Sequence, residues 1–174
     1  YEISRRREAG LDTSWRHAFD VRRSPAIPSI VAVGAMLFAM FIAWLLVAQG
    51  LYTRLLGPEP PTSMTHFLET LFTTDAGFML LLLGNAIGFI FALVVLITTS
   101  IAFPMLLDRD CGAVAAIITS VRAASTNPVP IALWGLLVAG ALLVGSLPLF
   151  AGLAVVMPIL GHATWHLYRK LVAE

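Results

Sequence analysis

Three long stretches of the chain contain no Asp, Glu, Lys or Arg, and they constrain its fold more than any other feature. They cover residues 24–53, 76–107 and 123–168, which is 30, 32 and 46 residues. A helix needs roughly 20 residues, at about 1.5 Å each, to cross a hydrocarbon core of about 30 Å. The first two stretches therefore predict one membrane span each, and the third is long enough for two.

The predicted fold is an all-α membrane protein with four transmembrane helices in one bundle and short interfacial helices. The spans are predicted at about 29–52, 76–107, 128–145 and 149–168, within a transmembrane domain over 29–172. The composition agrees, because 59% of the 174 residues are apolar and only 12% are charged, whereas soluble domains are about 25% charged. The single cysteine excludes a disulfide framework within the chain.

The basic residues predict the orientation of this bundle. Ten of the eleven would lie on one side of four spans, and only Arg54 would lie on the other. Because Lys and Arg concentrate in cytoplasmic loops, both termini are predicted to be cytoplasmic. A net charge of +1 gives no support to nucleic-acid binding. The lipid bilayer is the first expected partner.

Residues 1–28 are predicted to be a cytoplasmic basic arm with a short interfacial helix. Trp15 and Phe19 lie four residues apart and share one face of such a helix. That arrangement suits a helix lying on anionic headgroups. A basic tail without a stable helix fits the same residues. Pro25 and Pro28 then break the chain before the first span.

The loops and breaks between the spans are also predicted. On the outer side, Ser63 caps an amphipathic helix whose apolar residues recur at helical spacing. On the inner side, Pro104 breaks the long second span, and an interfacial or re-entrant helix precedes Asn127-Pro128. Small residues in the last two spans favour a tight hairpin between them. The glycines concerned are Gly135, Gly140, Gly145, Gly152 and Gly161.

The second span carries a possible packing surface. Gly84 and Gly88 form a GxxxG step, which lets another helix approach closely. Asn85 lies ten residues after Asp75, so about 15 Å deep and near the bilayer midplane. An amide there needs a partner, and an interhelical hydrogen bond explains it more simply than a transport site.

Polar residues predicted at the cytoplasmic edge of the membrane, here called the inner edge, form the strongest candidate site. Its members are Asp108, Arg109, Asp110, His162, His166 and Arg169. The two histidines lie four residues apart on one helix face, at the depth where the second span ends. We expect a structural role in which Asp108 or Asp110 bonds to His162, His166 or Arg169. Such a bond would tie the second span to the fourth.

The same residues raise a metal-binding alternative. Two imidazoles with Asp108 or Asp110 would be an acceptable ligand set for zinc, iron or manganese. The His-x3-His pattern lacks the Glu that makes the zincin motif specific, and no second membrane span carries a His for haem. We therefore predict no cofactor and no catalytic residue. Cys111 is more typical of a packed thiol than of a nucleophile.

Three segments carry a resemblance to a known family. They are FPMLLDRD at 103–110, STNPVPIALWG at 125–135 and PILGHATWHLYRKLV at 158–172. With these motifs in this order, the sequence resembles a bacterial family of integral membrane proteins of unknown function. The resemblance implies a multi-pass protein of the bacterial inner (cytoplasmic) membrane. Some relatives carry a cytochrome c oxidase label.

These observations lead to one main functional hypothesis. The chain lacks paired histidines on separate spans, so an oxidase label would fit only an accessory subunit. The sequence predicts a non-catalytic accessory or assembly subunit of a larger inner-membrane complex, and the resemblance implies a respiratory (cytochrome oxidase type) electron-transfer complex. Other integral membrane subunits would be its partners. The alternatives are a metal-binding membrane enzyme using the inner-edge cluster, or a small transporter using Asn85.

Overall fold

The computed structural model describes residues 2–8, 10–12 and 24–172 of the chain. This part is helical and contains no strand. The predicted interfacial helix around Trp15 and Phe19 lies outside the described residues. The described helices are α1 Glu2–Glu8, α2 Ile27–Leu56, α3 Met64–Thr73, α4 Asp75–Thr99, α5 Ala102–Asp108, α6 Gly112–Thr126, α7 Pro128–Ser146 and α8 Leu153–Val172.

Three helical segments of the described chain are long and apolar enough to cross a membrane. They are Ile27–Leu56, Asp75–Asp108, which comprises α4 and α5, and Pro128–Ser146. The all-α membrane class is therefore confirmed. The count of four is not, because α8 has 20 residues but is not among these segments. Its histidines and its terminal Arg169 and Lys170 lower its hydropathy.

The chain divides into two compact units. One comprises Gly34–Val94, and the other comprises the described residues up to Val33 and from Val95 onward. In the first unit, the predicted N-cap of α3 is confirmed, since the Ser63 hydroxyl accepts a hydrogen bond from the His66 backbone N–H at 3.1 Å. The Tyr52 hydroxyl donates to the Glu59 carbonyl at 2.8 Å, and this bond holds the α2–α3 loop.

A tight corner joins α3 to α4 in the same unit. Thr74 caps α4, because its hydroxyl accepts from the Gly77 N–H at 3.0 Å. A Cβ on Gly77 would lie 2.6 Å from the Leu71 Cα and closer still to the Thr70 carbonyl oxygen. Only glycine fits this approach of one backbone to another.

The break in the second predicted span lies at Ser100 and Ile101, between α4 and α5. Pro104 has no N–H to donate to the Ser100 carbonyl, so the helix is interrupted one turn before the proline. Ser120 of α6 occupies the gap. Its hydroxyl donates to the Ile97 carbonyl at 2.7 Å and accepts from the Ile101 N–H at 3.2 Å. A side chain has thus replaced one bond of the helix ladder.

The hairpin between α7 and α8 is confirmed at its turn. A Cβ on Gly152 would lie 2.7 Å from the Gly145 carbonyl oxygen, so the two glycines are in close backbone contact. Leu149 and Phe150 have φ of 50° and 65°, which ends the helical path, and α8 therefore begins later than predicted. Gly135 packs against the Leu96 side chain of α4 rather than against α8.

The core of the second unit lies where α5, α6 and α8 meet. Ile101, Met105, Ala123 and Tyr168 are buried together, with Cys111 packed at the edge of this cluster. Helix α8 contributes its aromatic face, since the rings of Trp165 and Tyr168 lie 5.7 Å apart. This packing brings the end of α8 against the end of α5 and positions the candidate site.

Candidate functional site

The inner-edge site is built around the carboxylate of Asp108, the last residue of α5. The Tyr168 hydroxyl of α8 donates a 2.6 Å hydrogen bond to Asp108 Oδ2. Tyr168 is fully buried, whereas Asp108 keeps one edge in solvent. A short bond from a buried phenol to a carboxylate belongs to the stronger, charge-assisted class. This bond joins α5 to α8.

Two arginines surround the same carboxylate. Arg169 Nη1 and Arg109 Nε each lie 3.8 Å from Asp108 Oδ2. Both guanidinium groups are close to half exposed, so water screens much of the attraction. They offset part of the Asp108 charge from a longer distance, and Tyr168 is its closest partner.

Helix α1 reaches this site through Glu8. Glu8 Oε2 lies 3.3 Å from Arg169 Nε, and Glu8 Oε1 lies 4.0 Å from His166 Nδ1. The second contact is an ion pair only when the imidazole is protonated. Arg169 thus lies between Glu8 and Asp108, and it links α1 to α5 through α8.

The structure brings several of the predicted site residues into contact. Asp108, Arg109 and Arg169 are in contact, and His166 joins them through Glu8. Asp110 and His162 are exposed. Tyr168 and Glu8 were missed by sequence reasoning. Tyr168 lies on the same face of α8 as Trp165, which was a usable signal, but nothing in the sequence marks Glu8.

The described residues do not assemble a metal centre. Within residues 2–8, 10–12 and 24–172, no group of three or more His, Cys, Asp or Glu side chains is placed to hold an ion. The imidazole of His166 faces Glu8, while Asp108 faces Tyr168 and the arginines. The carboxylate of Asp108 and the imidazole of His166 thus have different partners and do not face a common point.

The cysteine lies between α5 and α6, outside the candidate spans. Burial raises the pKa of the Cys111 thiol, and the nearby Asp110 carboxylate acts in the same direction, against the opposing effects of a backbone hydrogen bond and Arg109. A raised pKa reduces the thiolate, which is the nucleophilic form. This environment suits a packed thiol.

The predicted packing residues of α4 lie in the unit Gly34–Val94. A Cβ on Gly88 would lie 3.7 Å from Trp44 Nε1, and a Cβ on Gly84 would lie 4.0 Å from the Leu51 side chain. The glycines therefore face α2. The interhelical bond expected for Asn85 was wrong, because its Nδ2 donates instead to the Leu81 carbonyl of α4 at 2.8 Å.

These features define a helical integral membrane protein with an ion-paired cluster where α5 and α8 end. The chain belongs to the DUF2189 family, whose description is "predicted integral membrane protein", and the family model matches residues 1–108. No curated protein and no solved structure matches the chain.

The family match lies elsewhere than the motifs suggested. The matched region ends at Asp108. It therefore contains most of the segment 103–110 and neither of the segments 125–135 and 158–172. The expected family of membrane proteins of unknown function is confirmed. The description mentions neither bacteria nor cytochrome c oxidase.

Proposed function

We propose that this protein is a non-catalytic subunit that packs against other integral membrane proteins. The observation that supports this best is a set of uncovered glycines. Apart from the adjoining residues and the backbone of its own helix, no described atom lies within 4 Å of a Cβ built on Gly34, Gly140 or Gly161. Glycines in membrane helices allow close approach of a second helix. Gly140 and Gly161 were expected to pack within the α7–α8 hairpin, and they remain available to a partner.

The polar groups support the same proposal. Several hydroxyls of the helices, such as those of Thr99 and Ser146, donate to carbonyls of their own helix. At the ends of α5 and α8, Arg169 pairs with Asp108 and with Glu8 of α1. These polar groups thus have partners that stabilise the helices and their ends.

The proposal has a more specific form. Helix α8 is the fourth span, both termini are cytoplasmic, and the membrane is the bacterial inner membrane. The inner-edge cluster has a structural role, tying the second span to the fourth. The partner is a respiratory complex of the cytochrome oxidase type. This last point depends on the motif resemblance alone.

Gentle purification of the tagged protein, followed by native electrophoresis with haem staining, tests the proposal. We expect a complex larger than the protein itself, containing other membrane subunits. Gly140→Leu should release the partner, because a larger side chain would separate the two helices, while Ala43→Leu on the exposed part of α2 should not. Migration of the protein alone under every growth condition would refute the proposal. A larger complex without haem would refute only its respiratory form.

A further inference from the structure

A groove in the unit Gly34–Val94 lies between α2, α3 and α4. Its volume is about 250 Å³, slightly below the usual range for small-molecule sites. Apolar side chains form most of its wall, among them Leu51, Phe67, Leu71 and Leu80. Two residues with polar groups, Trp44 and Asn85, also line it.

The polar groups of this groove retain unused hydrogen-bonding capacity. The Asn85 amide makes one hydrogen bond, from Nδ2 to the Leu81 carbonyl. Among the residues that the structure describes, no donor reaches its Oδ1 and no acceptor reaches Trp44 Nε1. In an apolar environment, each unmet group costs free energy that a suitable ligand would recover.

The position of the groove restricts what can enter it. Two of its walls belong to helices long and apolar enough to span a membrane, so lipid chains would adjoin the groove in a bilayer. Asn85 lies ten residues beyond the start of α4, which is about 15 Å along the helix and near the midplane. The ester and phosphate groups of an ordinary phospholipid stay near the surface and do not reach this depth.

The charge of the groove restricts the ligand further. Its lining contains no Lys, Arg, Asp or Glu, so a charged head would lose its hydration without gaining a counter-ion. An amide offers both a donor and an acceptor, and the indole offers a donor. An uncharged head with a hydroxyl or carbonyl group can use them.

We propose that this groove binds an uncharged amphiphile from the bilayer, with an apolar tail and a hydroxyl or carbonyl head that hydrogen-bonds to Asn85 and Trp44. The tail lies against the apolar residues of α2, α3 and α4. Helix α3 contributes Phe67 and Leu71 to the lining.

Photolabelling of the full chain in phosphatidylcholine nanodiscs tests this site. The probe is hexadecanol with a diazirine in its tail, and the matched control probe is hexadecylphosphocholine with the same diazirine. Peptide mapping by mass spectrometry should place the hexadecanol label on groove residues between 44 and 87. An excess of unlabelled hexadecanol or decylbenzoquinone should suppress it, and the more effective competitor identifies a hydroxyl or a carbonyl head.

Variants test the assigned residues. Asn85→Leu should reduce the saturable labelling about fivefold, as expected for a lost hydrogen bond, and Thr99→Val in the same helix should leave it unchanged. Ala48→Phe should fill the groove and abolish labelling, whereas Ala43→Phe on the same helix should not. Circular dichroism and gel filtration establish that each variant is folded.

Three results would overturn the proposal. The first is labelling that neither competitor suppresses. The second is equal, saturable labelling by the phosphocholine probe, which would indicate bulk lipid. The third is unchanged labelling in folded Asn85→Leu and Ala48→Phe variants. None of these results bears on the partner complex, which is tested by co-purification.

Discussion

At the scale of single residues, Ser120 stabilises an interruption in the path of the chain. Its fully buried hydroxyl serves both the Ile97 carbonyl and the Ile101 N–H. The interruption between α4 and α5 would otherwise leave these two backbone groups unpaired in an apolar environment. One side chain thus makes a break in a membrane helix tolerable.

Ser120→Ala should destabilise the protein by about 1 to 3 kcal/mol, because it leaves buried backbone groups without partners. Ser125→Ala is the matched control in α6, since the exposed Ser125 hydroxyl bonds only to the Val121 carbonyl of its own helix. Unfolding in mixed detergent and SDS micelles measures both. Equal stability of the two variants would contradict the role assigned to Ser120.

Cys111 should react slowly with iodoacetamide at neutral pH. Burial raises its thiol pKa, so the thiolate fraction at pH 7 falls and the midpoint of the rate profile moves to higher pH. Alkylation rates from pH 7 to 10, followed by mass spectrometry, report on one site because the chain has one cysteine. The SDS-unfolded protein is the control. A folded-state midpoint at or below the unfolded one would contradict this prediction.

At the scale of elements, close contacts between backbones and bonds between helix ends hold the helices together. The α3–α4 corner depends on Gly77 and the capping hydroxyl of Thr74. The α5–α8 junction depends on Tyr168 and Asp108. Each contact lies where a helix begins or ends, because backbone groups and charges are accessible there.

Gly77→Ala should destabilise the protein by about 1 to 3 kcal/mol, the usual cost of forcing extra atoms into a packed site. The new Cβ would meet the backbone of Thr70 and Leu71, which cannot rotate away. Gly34→Ala, where the space is open, should be neutral or stabilising. Thermal unfolding followed by circular dichroism compares them, and a neutral Gly77→Ala would rule out the tight corner.

Tyr168→Phe should cost about 1.5 to 3 kcal/mol, because it removes a hydrogen bond to a charged group. Tyr52→Phe removes an exposed hydroxyl bond to the Glu59 carbonyl and should cost less. Asp108→Asn should show a reduced additional effect in the Tyr168→Phe background, as expected for residues in contact. Additive effects in unfolding measurements would contradict a direct α5–α8 bond.

The helices were more predictable than their contacts. Helix ends could be predicted from residue type, because caps and breaks act within a few residues. Examples are Ser63 before α3 and Asn127-Pro128 after α6. Pro104 predicted a break but not its position one turn earlier. Tyr168 and Asp108 are 60 residues apart, and Asn85 bonds within its own helix. Such partners depend on packing, which no local pattern records.

At the scale of the whole molecule, the distribution of charge and the length of the helices determine how it can lie in a membrane. Three segments have the required length and hydropathy. Helix α8 is long enough, at about 30 Å, but its last turns are polar. The side on which α8 ends therefore decides between three spans and four.

Four spans predict that the chain ends on the side where Cys111 lies. A membrane-impermeant maleimide should label Thr62→Cys in intact cells, and should label Lys170→Cys only after permeabilisation, both in a Cys111→Ser background. Cys111 itself should require permeabilisation, since ten of eleven basic residues favour the cytoplasmic side. Labelling of Lys170→Cys in intact cells would show that α8 does not cross.

The bridging hydroxyl of Ser120 has a consequence for how the chain is made. A ribosome adding about 5 to 20 residues per second reaches Ser120 about 1 to 4 s after Ile101. During that interval the break between α4 and α5 has no external partner for its backbone groups. The break therefore leaves the ribosome about 1 to 4 s before the residue that stabilises it. The two backbone groups gain their partner only when α6 docks against the break.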